Sequence, residues 1–443
     1  MTGPERPGKL LDWGLRPVFL AAAISLIALV PRWDWATDEH APRLYVYGDM
    51  EIYLERGRAL LSHFPSAADT FTPIGYPAFL HLLDRIWPNR LDRVAEVQAA
   101  LSAVTAGLGS LFARSLDRSA VTQIVAGLAL AAYFPLTLYT GFLLTETLFA
   151  FLLIAGLLAL ARSLRPNSTR PLLAAVGAGV LLGFGVLVRP ALLFFVPLLA
   201  AMGMVASRTR RASLTALATI ALVIVPVCVM NSMALKRPSL VASNGGVNFF
   251  LAHSECKAVR SDGPGAVFVS THYNRTHYEK ECWFDVPFYE ERVFYHAGLA
   301  ELAAHPGRLV RAFGNLREGL GLAARSPWPN LPYWPGTKRH QEQINDYSRA
   351  FFWVILLPAA GHGLMCFAKA RRARRLDLTS PRALGWATLM SVFVALYLYN
   401  GNPRVRVSSD PICIAFAAAA LTAVARSSFE FARGRRAKRA TPA

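Results

Sequence analysis

Residues 171–206 read PLLAAVGAGVLLGFGVLVRPALLFFVPLLAAMGMVA, and the only charged residue among them is Arg189. An α-helix needs about 20 mostly apolar residues to cross the hydrocarbon core of a bilayer. The runs 171–188 and 191–206, on either side of Arg189-Pro190, are each close to that length. The stretch therefore predicts two consecutive transmembrane helices that are joined by a tight turn at the arginine.

Apolar runs of this kind recur along the whole chain. Of its 443 residues, 54% are hydrophobic and 17% are charged, whereas a soluble domain has about 25% charged residues. We predict ten membrane spans, at 17–31, 94–112, 120–138, 142–161, 171–188, 191–206, 214–232, 350–368, 383–399 and 411–425. No small-residue cleavage site follows the first span, so we interpret it as an uncleaved anchor. The pattern excludes a soluble enzyme and predicts an all-α polytopic membrane protein.

The formal net charge of +19 is concentrated on one side of the predicted membrane. Basic clusters precede the first span, follow every second span and fill the C-terminal tail. The positive-inside rule therefore places both termini in the cytoplasm. We therefore interpret the basic excess mostly as a topology signal, held against anionic lipid head groups, and expect the lipid bilayer, and not nucleic acid, as the partner of these residues.

Two long segments with nearly balanced charge, 32–93 and 233–349, form loops on the opposite side, and both contain predicted helices. They divide the chain into three parts. Residues 1–232 form an N-terminal membrane module with the first outer loop. Residues 233–349 form an extracytoplasmic loop region, and residues 350–443 form a C-terminal membrane module with a basic cytoplasmic tail.

Cys256 and Cys282 lie in the same outer loop. Outside the cytoplasm a disulfide between them is permitted, and two free thiols are the alternative. No spacing of His and Cys residues resembles a zinc site. The sequence therefore predicts one disulfide and no metal site.

Two carboxylates lie near the outer ends of predicted spans. Asp49 occurs in YVYGDMEIY (45–53), at the start of a predicted helix, with Tyr53 one turn later. It could be a reactive carboxylate over the positive end of that helix, or simply the N-cap. Glu146 lies about one turn inside the outer end of span 142–161. An ionisable group at this depth is costly unless it is paired, so Glu146 is either a site residue or a solvated cap.

Three arginines lie at outer span ends, where the positive-inside rule disfavours them. Besides Arg189, these are Arg404 and Arg406 in YNGNPRVR (399–406). In extended backbone, residues two apart point to the same side. Arg404 and Arg406 could then offer paired guanidinium groups to a phosphate, with carbonyl or aromatic contacts as the alternative.

These residues are suited to moving a sugar from a lipid-linked donor. The arginines would hold the lipid phosphate as it leaves, and Asp49 would take the proton of an acceptor hydroxyl. One direct displacement of this kind inverts the anomeric carbon. The spacing alone does not distinguish such a transferase from a transporter or flippase of a phosphate-bearing lipid or glycolipid.

Several short motifs, in order along residues 45–415, resemble the C-type (GT-C) membrane glycosyltransferases that use polyprenyl-phosphate sugars. This group includes the protein O-mannosyltransferases and the lipid A aminoarabinose transferase. The matching pieces are Asp49 with Tyr53, FTPIGYP at 71–77, Phe134-Pro135, Thr145-Glu146, Val188-Arg189-Pro190, Pro403-Arg404-Val405-Arg406 and Asp410-Pro411.

The resemblance implies a GT-C fold, an undecaprenyl- or dolichyl-phosphate sugar as donor, and an extracytoplasmic glycan, lipid or protein hydroxyl as acceptor. The candidate catalytic residues are Asp49 and Glu146, and the candidate substrate-binding residues are Tyr53, Arg189, Arg404 and Arg406. No cofactor is required. Family members often carry two adjacent acids where this chain has Gly48-Asp49, which weakens the case for a divalent cation. We expect the protein in a bacterial inner membrane.

Overall fold

The computed structural model describes residues 17–165, 168–205, 209–256, 258–261, 267–269, 281–320, 338–373, 377–399, 401 and 403–440. Up to residue 235, the helices are α1 (Pro17–Asp34), α2 (Asp49–Ala59), α3 (Gly75–Ile86), α4 (Leu91–Asp117), α5 (Ala120–Ala132), α6 (Phe134–Leu138), α7 (Thr145–Ser163), α8 (Pro171–Val188), α9 (Phe195–Val205) and α10 (Arg210–Leu235). They are followed by α11 (Gly245–His253), β1 (Ala258–Ser261), β2 (Val267–Val269), β3 (Glu281–Phe284), α12 (Glu291–Ala304), α13 (Gly307–Arg311), α14 (Phe313–Gly319), α15 (Lys338–Ala373), α16 (Pro381–Leu398), α17 (Pro403–Val407) and α18 (Asp410–Ala440).

Within the described ranges, seven segments are helical, long and apolar enough to cross a membrane: Pro17–Glu39, Leu91–Asp117, Thr145–Ser163, Pro171–Val188, Arg210–Leu235, Pro381–Leu398 and Asp410–Ala432. The pair Ala120–Ala132 and Phe134–Gly141 makes an eighth if it is counted as one bent span. The other two predicted spans, 191–206 and 350–368, correspond to the shorter apolar helices Pro190–Met204 and Trp353–Ala368. The all-α membrane fold is as predicted, with seven or eight full-length spans among the described residues and not ten.

Small residues bring the membrane helices into contact. A Cβ atom at Gly107 of α4 would lie 2.6 Å from the carbonyl oxygen of Ala21 in α1. A Cβ at Gly179 of α8 would lie 2.7 Å from the carbonyl oxygen of Ala216 in α10. Lipid tails are as apolar as the helix surfaces, so the hydrophobic effect does not drive helices together within a bilayer. Membrane helices associate instead through close packing of this kind.

A sharp break separates α5 from α6, which bend by 53° relative to each other. Pro135 at the start of α6 lacks the N–H that would continue the helical ladder. Arg32 of α1 is completely buried beside the break. Its guanidinium donates to the carbonyl oxygens of Leu130 and Ala131 at 2.9 and 3.1 Å. The arginine thereby donates to carbonyl groups in the last turn of α5, where the break interrupts the regular helical hydrogen bonding.

The two large loops lie at one end of the chain's membrane helices and contribute α2, α3 and α11–α14. The second loop contains helices, as predicted, and also a three-stranded sheet of order β2-β1-β3, which was not predicted. Strand β1 pairs antiparallel with β2 and parallel with β3. Cys256 and Cys282 form a disulfide with Cα atoms 5.8 Å apart. Because Cys282 lies on β3 and Cys256 lies two positions before the start of β1, the bond ties the chain that enters β1 to β3.

Candidate active site

Arg404 lies between the two candidate carboxylates. It belongs to α17, the single helical turn that precedes the last membrane helix. Its Nη1 atom donates to Asp49 Oδ2 at 2.6 Å, and its Nε atom donates to Glu146 Oε1. Residues 49, 146 and 404, which are far apart in the sequence, therefore meet at one point.

Arg189 approaches Glu146 from another helix end. Its Nη2 atom lies 2.7 Å from Glu146 Oε1, and its Nε atom donates to Thr145 Oγ1 at 2.9 Å. Its Nη1 atom donates to the backbone carbonyl of Arg404 at 3.2 Å. Arg189 thus binds both the Glu146 carboxylate and the backbone of the segment that carries Arg404.

The four charged groups differ in exposure. The Glu146 side chain is 1% exposed, those of Arg404 and Arg189 are 11% and 12% exposed, and that of Asp49 is 52% exposed. Two guanidinium groups and two carboxylates balance in charge, which a buried cluster requires. Asp49 is the carboxylate that an incoming molecule can reach, whereas Glu146 is enclosed by its two arginines.

Glycines allow two close backbone arrangements around this cluster. Asp49 is the first residue of α2, and its N-cap is Gly48 with φ of +58°, a value that L-residues rarely adopt. The N-cap of α2 is therefore Gly48, and the alternative interpretation of Asp49 as the N-cap is wrong. At the start of α3, a Cβ on Gly75 would lie 2.6 Å from the Leu187 carbonyl carbon and 2.7 Å from the Val188 nitrogen. This contact holds α3 against the residues that immediately precede Arg189.

Tyr53 lies one turn after Asp49 on α2. Its ring contacts the ring of Tyr76 edge-on, with centroids 5.3 Å apart, and Tyr76 Oη donates to Gln98 Oε1 at 2.8 Å. Burial, followed by the charge of Asp49, raises the pKa of Tyr53 to about 12. The phenol therefore keeps its proton and can act as a hydrogen-bond donor beside Asp49.

A solved archaeal structure has a fold similar to that of this chain. No protein-family model matches the chain, and no curated protein sequence matches it. The crystal structure of the apo oligosaccharyltransferase from the archaeon Archaeoglobus fulgidus superposes with a TM-score of 0.52 and 13% sequence identity, over 98% of this chain and 53% of that one. The chain therefore shares the fold of that archaeal structure over about half of the archaeal chain's length.

The same archaeal enzyme, solved with an inhibitory peptide and a dolichol-phosphate, matches with a TM-score of 0.47 and 13% identity, over 96% of this chain and 52% of that one. This chain spans about half the length of the oligosaccharyltransferase chains that it matches.

Arg406 lies outside the cluster of Asp49, Glu146, Arg189 and Arg404, contrary to the prediction. Residues 403–407 form a helical turn and not extended backbone, so side chains two positions apart point in nearly opposite directions. Arg406 is buried and its Nη1 atom lies 3.1 Å from Asp410 Oδ1. It is a structural partner of Asp410 and does not pair with Arg404 around a common anion.

The structure adds two hydroxyl residues to the site. Thr145 accepts a hydrogen bond from Arg189, and Ser408 Oγ donates to the backbone carbonyl of Glu146 at 3.1 Å. Thr145 directly precedes Glu146 in a motif already singled out, so its proximity could have been inferred. Ser408 carried no comparable signal, because a serine near a span end is common.

The carboxylates of the site do not fit a divalent cation. Within the described ranges, no group of three or more His, Cys, Asp or Glu residues is placed to hold a metal ion. Asp49 and Glu146 each already neutralise a guanidinium group. We therefore assign no step to a metal.

Proposed function

We propose that the protein is an inverting glycosyltransferase, which moves a sugar from a polyprenyl-phosphate donor to an extracytoplasmic acceptor hydroxyl. The observation that carries the proposal is the contact of Arg404 with both Asp49 and Glu146. It places a reachable carboxylate beside guanidinium groups at the end of the membrane helices that carries the large loops. The GT-C fold supports the same assignment.

Arg404 and Arg189 are suited to hold the donor phosphate. A guanidinium is a planar, permanently charged donor that matches phosphate oxygens. Both side chains are only slightly exposed, so their charge is less screened than at an open surface. As the sugar–phosphate bond breaks, negative charge grows on the phosphate, and the fixed guanidinium groups stabilise that charge.

Asp49 serves as the general base toward the acceptor. Its carboxylate takes the proton of the acceptor hydroxyl, and the oxygen of that hydroxyl attacks the anomeric carbon. The bond from this carbon to the phosphate oxygen breaks, and the polyprenyl phosphate leaves with the bonding electrons. One displacement from the face opposite the phosphate inverts the anomeric configuration.

Glu146 and Tyr53 support these groups without meeting the reacting atoms. Glu146 is too enclosed to accept a proton from substrate, and its two ion pairs fix the spacing of Arg189 and Arg404. Tyr53 stays protonated beside Asp49 and can donate to a bound sugar or acceptor. The predicted catalytic role of Glu146 is thus replaced in this proposal by a positioning role.

The alternative function is transport or flipping of a phosphate-bearing lipid or glycolipid. Transporters of this kind place their binding sites near the bilayer midplane, between discontinuous helices. In this chain Arg189 ends one membrane helix and Glu146 lies in the first turn of another. The charged cluster therefore lies at helix ends, which favours transfer chemistry.

The test is incubation of the purified full-length protein with radiolabelled polyprenyl-phosphate sugars and membrane extract. A transferase moves the label into a glycan, lipid or protein fraction and releases unlabelled polyprenyl phosphate. A flippase in sealed vesicles instead makes the intact labelled donor accessible on the other face. Label that crosses the membrane while the sugar–phosphate bond survives would overturn the proposal.

A further inference from the structure

The two arginines of α17 point to opposite sides of the helical turn. Successive residues of an α-helix are rotated by about 100°, so residues 404 and 406 diverge by about 200°. Arg404 reaches Asp49 and Glu146, while Arg406 reaches Asp410 at 3.1 Å. A contact that holds Arg406 in place therefore restrains the rotation of the helical turn, and with it the side from which Arg404 projects.

Asp410 is held from two sides. Tyr133 Oη donates to Asp410 Oδ2 at 2.5 Å, and Oδ1 accepts from Arg406 Nη1. The side chains of Arg406 and Asp410 are 5% and 1% exposed, and Tyr133 is completely buried. We call Tyr133, Asp410 and Arg406 the buried triad.

Stability alone does not account for a charged pair in this position. A buried ion pair often contributes no more to folding than well-packed apolar residues would, whereas it does require one defined geometry. The buried triad also joins distant parts of the chain, since Tyr133 and Asp410 are 277 positions apart. Tyr133 lies at the break between α5 and α6, a short distance along the chain from Glu146.

The segment that follows α17 is tied to the same region. Ser409 N donates to the backbone carbonyl of Arg406 at 2.7 Å, and Ser408 Oγ donates to the carbonyl of Glu146. The helical turn is therefore held on one side by the charged site and on the other by the buried triad.

We infer that Tyr133, Asp410 and Arg406 are positioning residues, which hold α17 so that Arg404 presents its guanidinium to the phosphate of a polyprenyl lipid. The identity of that ligand rests on the proposed function. Removal of the Tyr133 hydroxyl releases one oxygen of Asp410, which loosens Arg406 and the helical turn. Arg404 then samples orientations away from the phosphate.

The test is a double-mutant cycle on binding of undecaprenyl phosphate to the full-length protein in lipid nanodiscs. The variants are Tyr133→Phe, Arg404→Ala and their combination. Tyr133→Phe should raise the Kd about three- to tenfold, the size expected for one lost hydrogen bond. In the Arg404→Ala background it should change the Kd by less than about twofold, because both changes act through the same group. An effect of equal size in both backgrounds, or no effect in either, would overturn the inference.

Thr422→Val is the matched control. Thr422 lies on the same helix as Asp410, and its hydroxyl forms a buried 2.7 Å hydrogen bond to Thr122 of α5, far from the break at Tyr133. Its loss should leave the Kd unchanged. If Thr422→Val weakens binding as much as Tyr133→Phe does, the loss reflects general loosening of the α5–α18 contact and the inference fails.

A second variant and a parallel assay separate the possible failures. Asp410→Asn keeps the shape of the side chain but removes its charge toward Arg406, and should raise the Kd in the same direction. Wild-type sugar transfer is measured on the same preparations. If the effects of Tyr133→Phe and Arg404→Ala on the Kd are coupled but the wild type transfers no sugar, only the proposed function is contradicted. If the wild type transfers sugar but the two effects are not coupled, only the positioning role of the buried triad is contradicted. Wild-type protein that does not bind undecaprenyl phosphate contradicts both.

Discussion

At the scale of single residues, the site is a small set of charges whose positions depend on one another. Glu146 is the least exposed member, and it contacts both Arg189 and Arg404. Without its carboxylate, two guanidinium groups would face each other in a poorly hydrated region. The free energy of the folded state should therefore depend strongly on Glu146.

Glu146→Gln should lower the stability of the purified protein. Removal of one partner from a buried ion pair costs about 3–5 kcal/mol, because the remaining charge is left uncompensated. Thermal unfolding in detergent, followed by tryptophan fluorescence, should show a melting temperature several degrees below that of the wild type. Glu96→Gln is the control, since Glu96 pairs at 2.7 Å with the partly exposed Arg93 and should leave the melting temperature almost unchanged. Equal melting temperatures for Glu146→Gln and the wild type would contradict the clustered geometry.

Most charged members of the site could be predicted from the sequence, for a simple reason. A lone charge at the end of an apolar run is costly, so Glu146, Arg189 and Arg404 stand out without any structure. Arg406 stood out for the same reason, but the direction in which its side chain points relative to Arg404 depends on whether residues 403–407 are extended or helical. A five-residue segment carries too little periodicity to decide that.

At the scale of elements, the site depends on how α3 and α8 meet. The start of α3 presses on the backbone of residues 187 and 188 at Gly75, directly before Arg189. A side chain at position 75 has no room unless one of the two helices moves. The site geometry should therefore be sensitive to a methyl group at a position that touches no substrate.

Gly75→Ala should reduce the rate of sugar transfer by at least about tenfold, because small displacements of positioned groups are costly to the reaction. Gly177→Ala is the control on α8, where an added Cβ meets nothing within 4 Å. That change should leave the rate unaltered and can only favour the helix. Rates are compared per folded molecule, after size-exclusion chromatography. The packing account fails if Gly75→Ala transfers sugar as fast as Gly177→Ala.

Some elements could not be predicted because their signals are short. Strands β1 to β3 have three or four residues each, too few for alternation to be recognised. The run 120–138 was predicted as one span, since its apolar character is continuous, and the break at Tyr133 appears only in the structure. Pro135 lies next to this break, but a proline alone does not predict a break because proline also occurs within intact membrane helices.

At the scale of the whole molecule, the bilayer imposes the fold. Its thickness sets the length of the apolar runs, and the basic residues between alternate runs set the orientation. Both constraints act on the composition of long segments and not on individual contacts. The fold class could therefore be predicted even though the exact ends of the helices could not. The orientation, with residues 233–349 outside and both termini in the cytoplasm, stays a prediction.

The disulfide offers a way to test this orientation. Cys256 and Cys282 are bonded, while Cys228, Cys366 and Cys413 form no disulfide within the described part of the chain. In spheroplasts, a membrane-impermeant maleimide should label the protein only after treatment with an external, impermeant reductant. The variant Cys256→Ser with Cys282→Ser should gain no such labelling. Labelling that requires a permeabilised membrane would place this loop in the cytoplasm and contradict the predicted topology.

The central claim is that Asp49 accepts the acceptor proton while Arg404 and Arg189 hold the donor. Its most direct test is the paired measurement of donor binding and sugar transfer for Asp49→Asn. The asparagine keeps the size of the side chain but is a very poor base, so donor Kd should stay within about threefold of the wild type. Transfer should fall by about 10²–10⁴-fold, the usual contribution of a general base. Transfer by Asp49→Asn at a rate near that of the wild type would contradict the account.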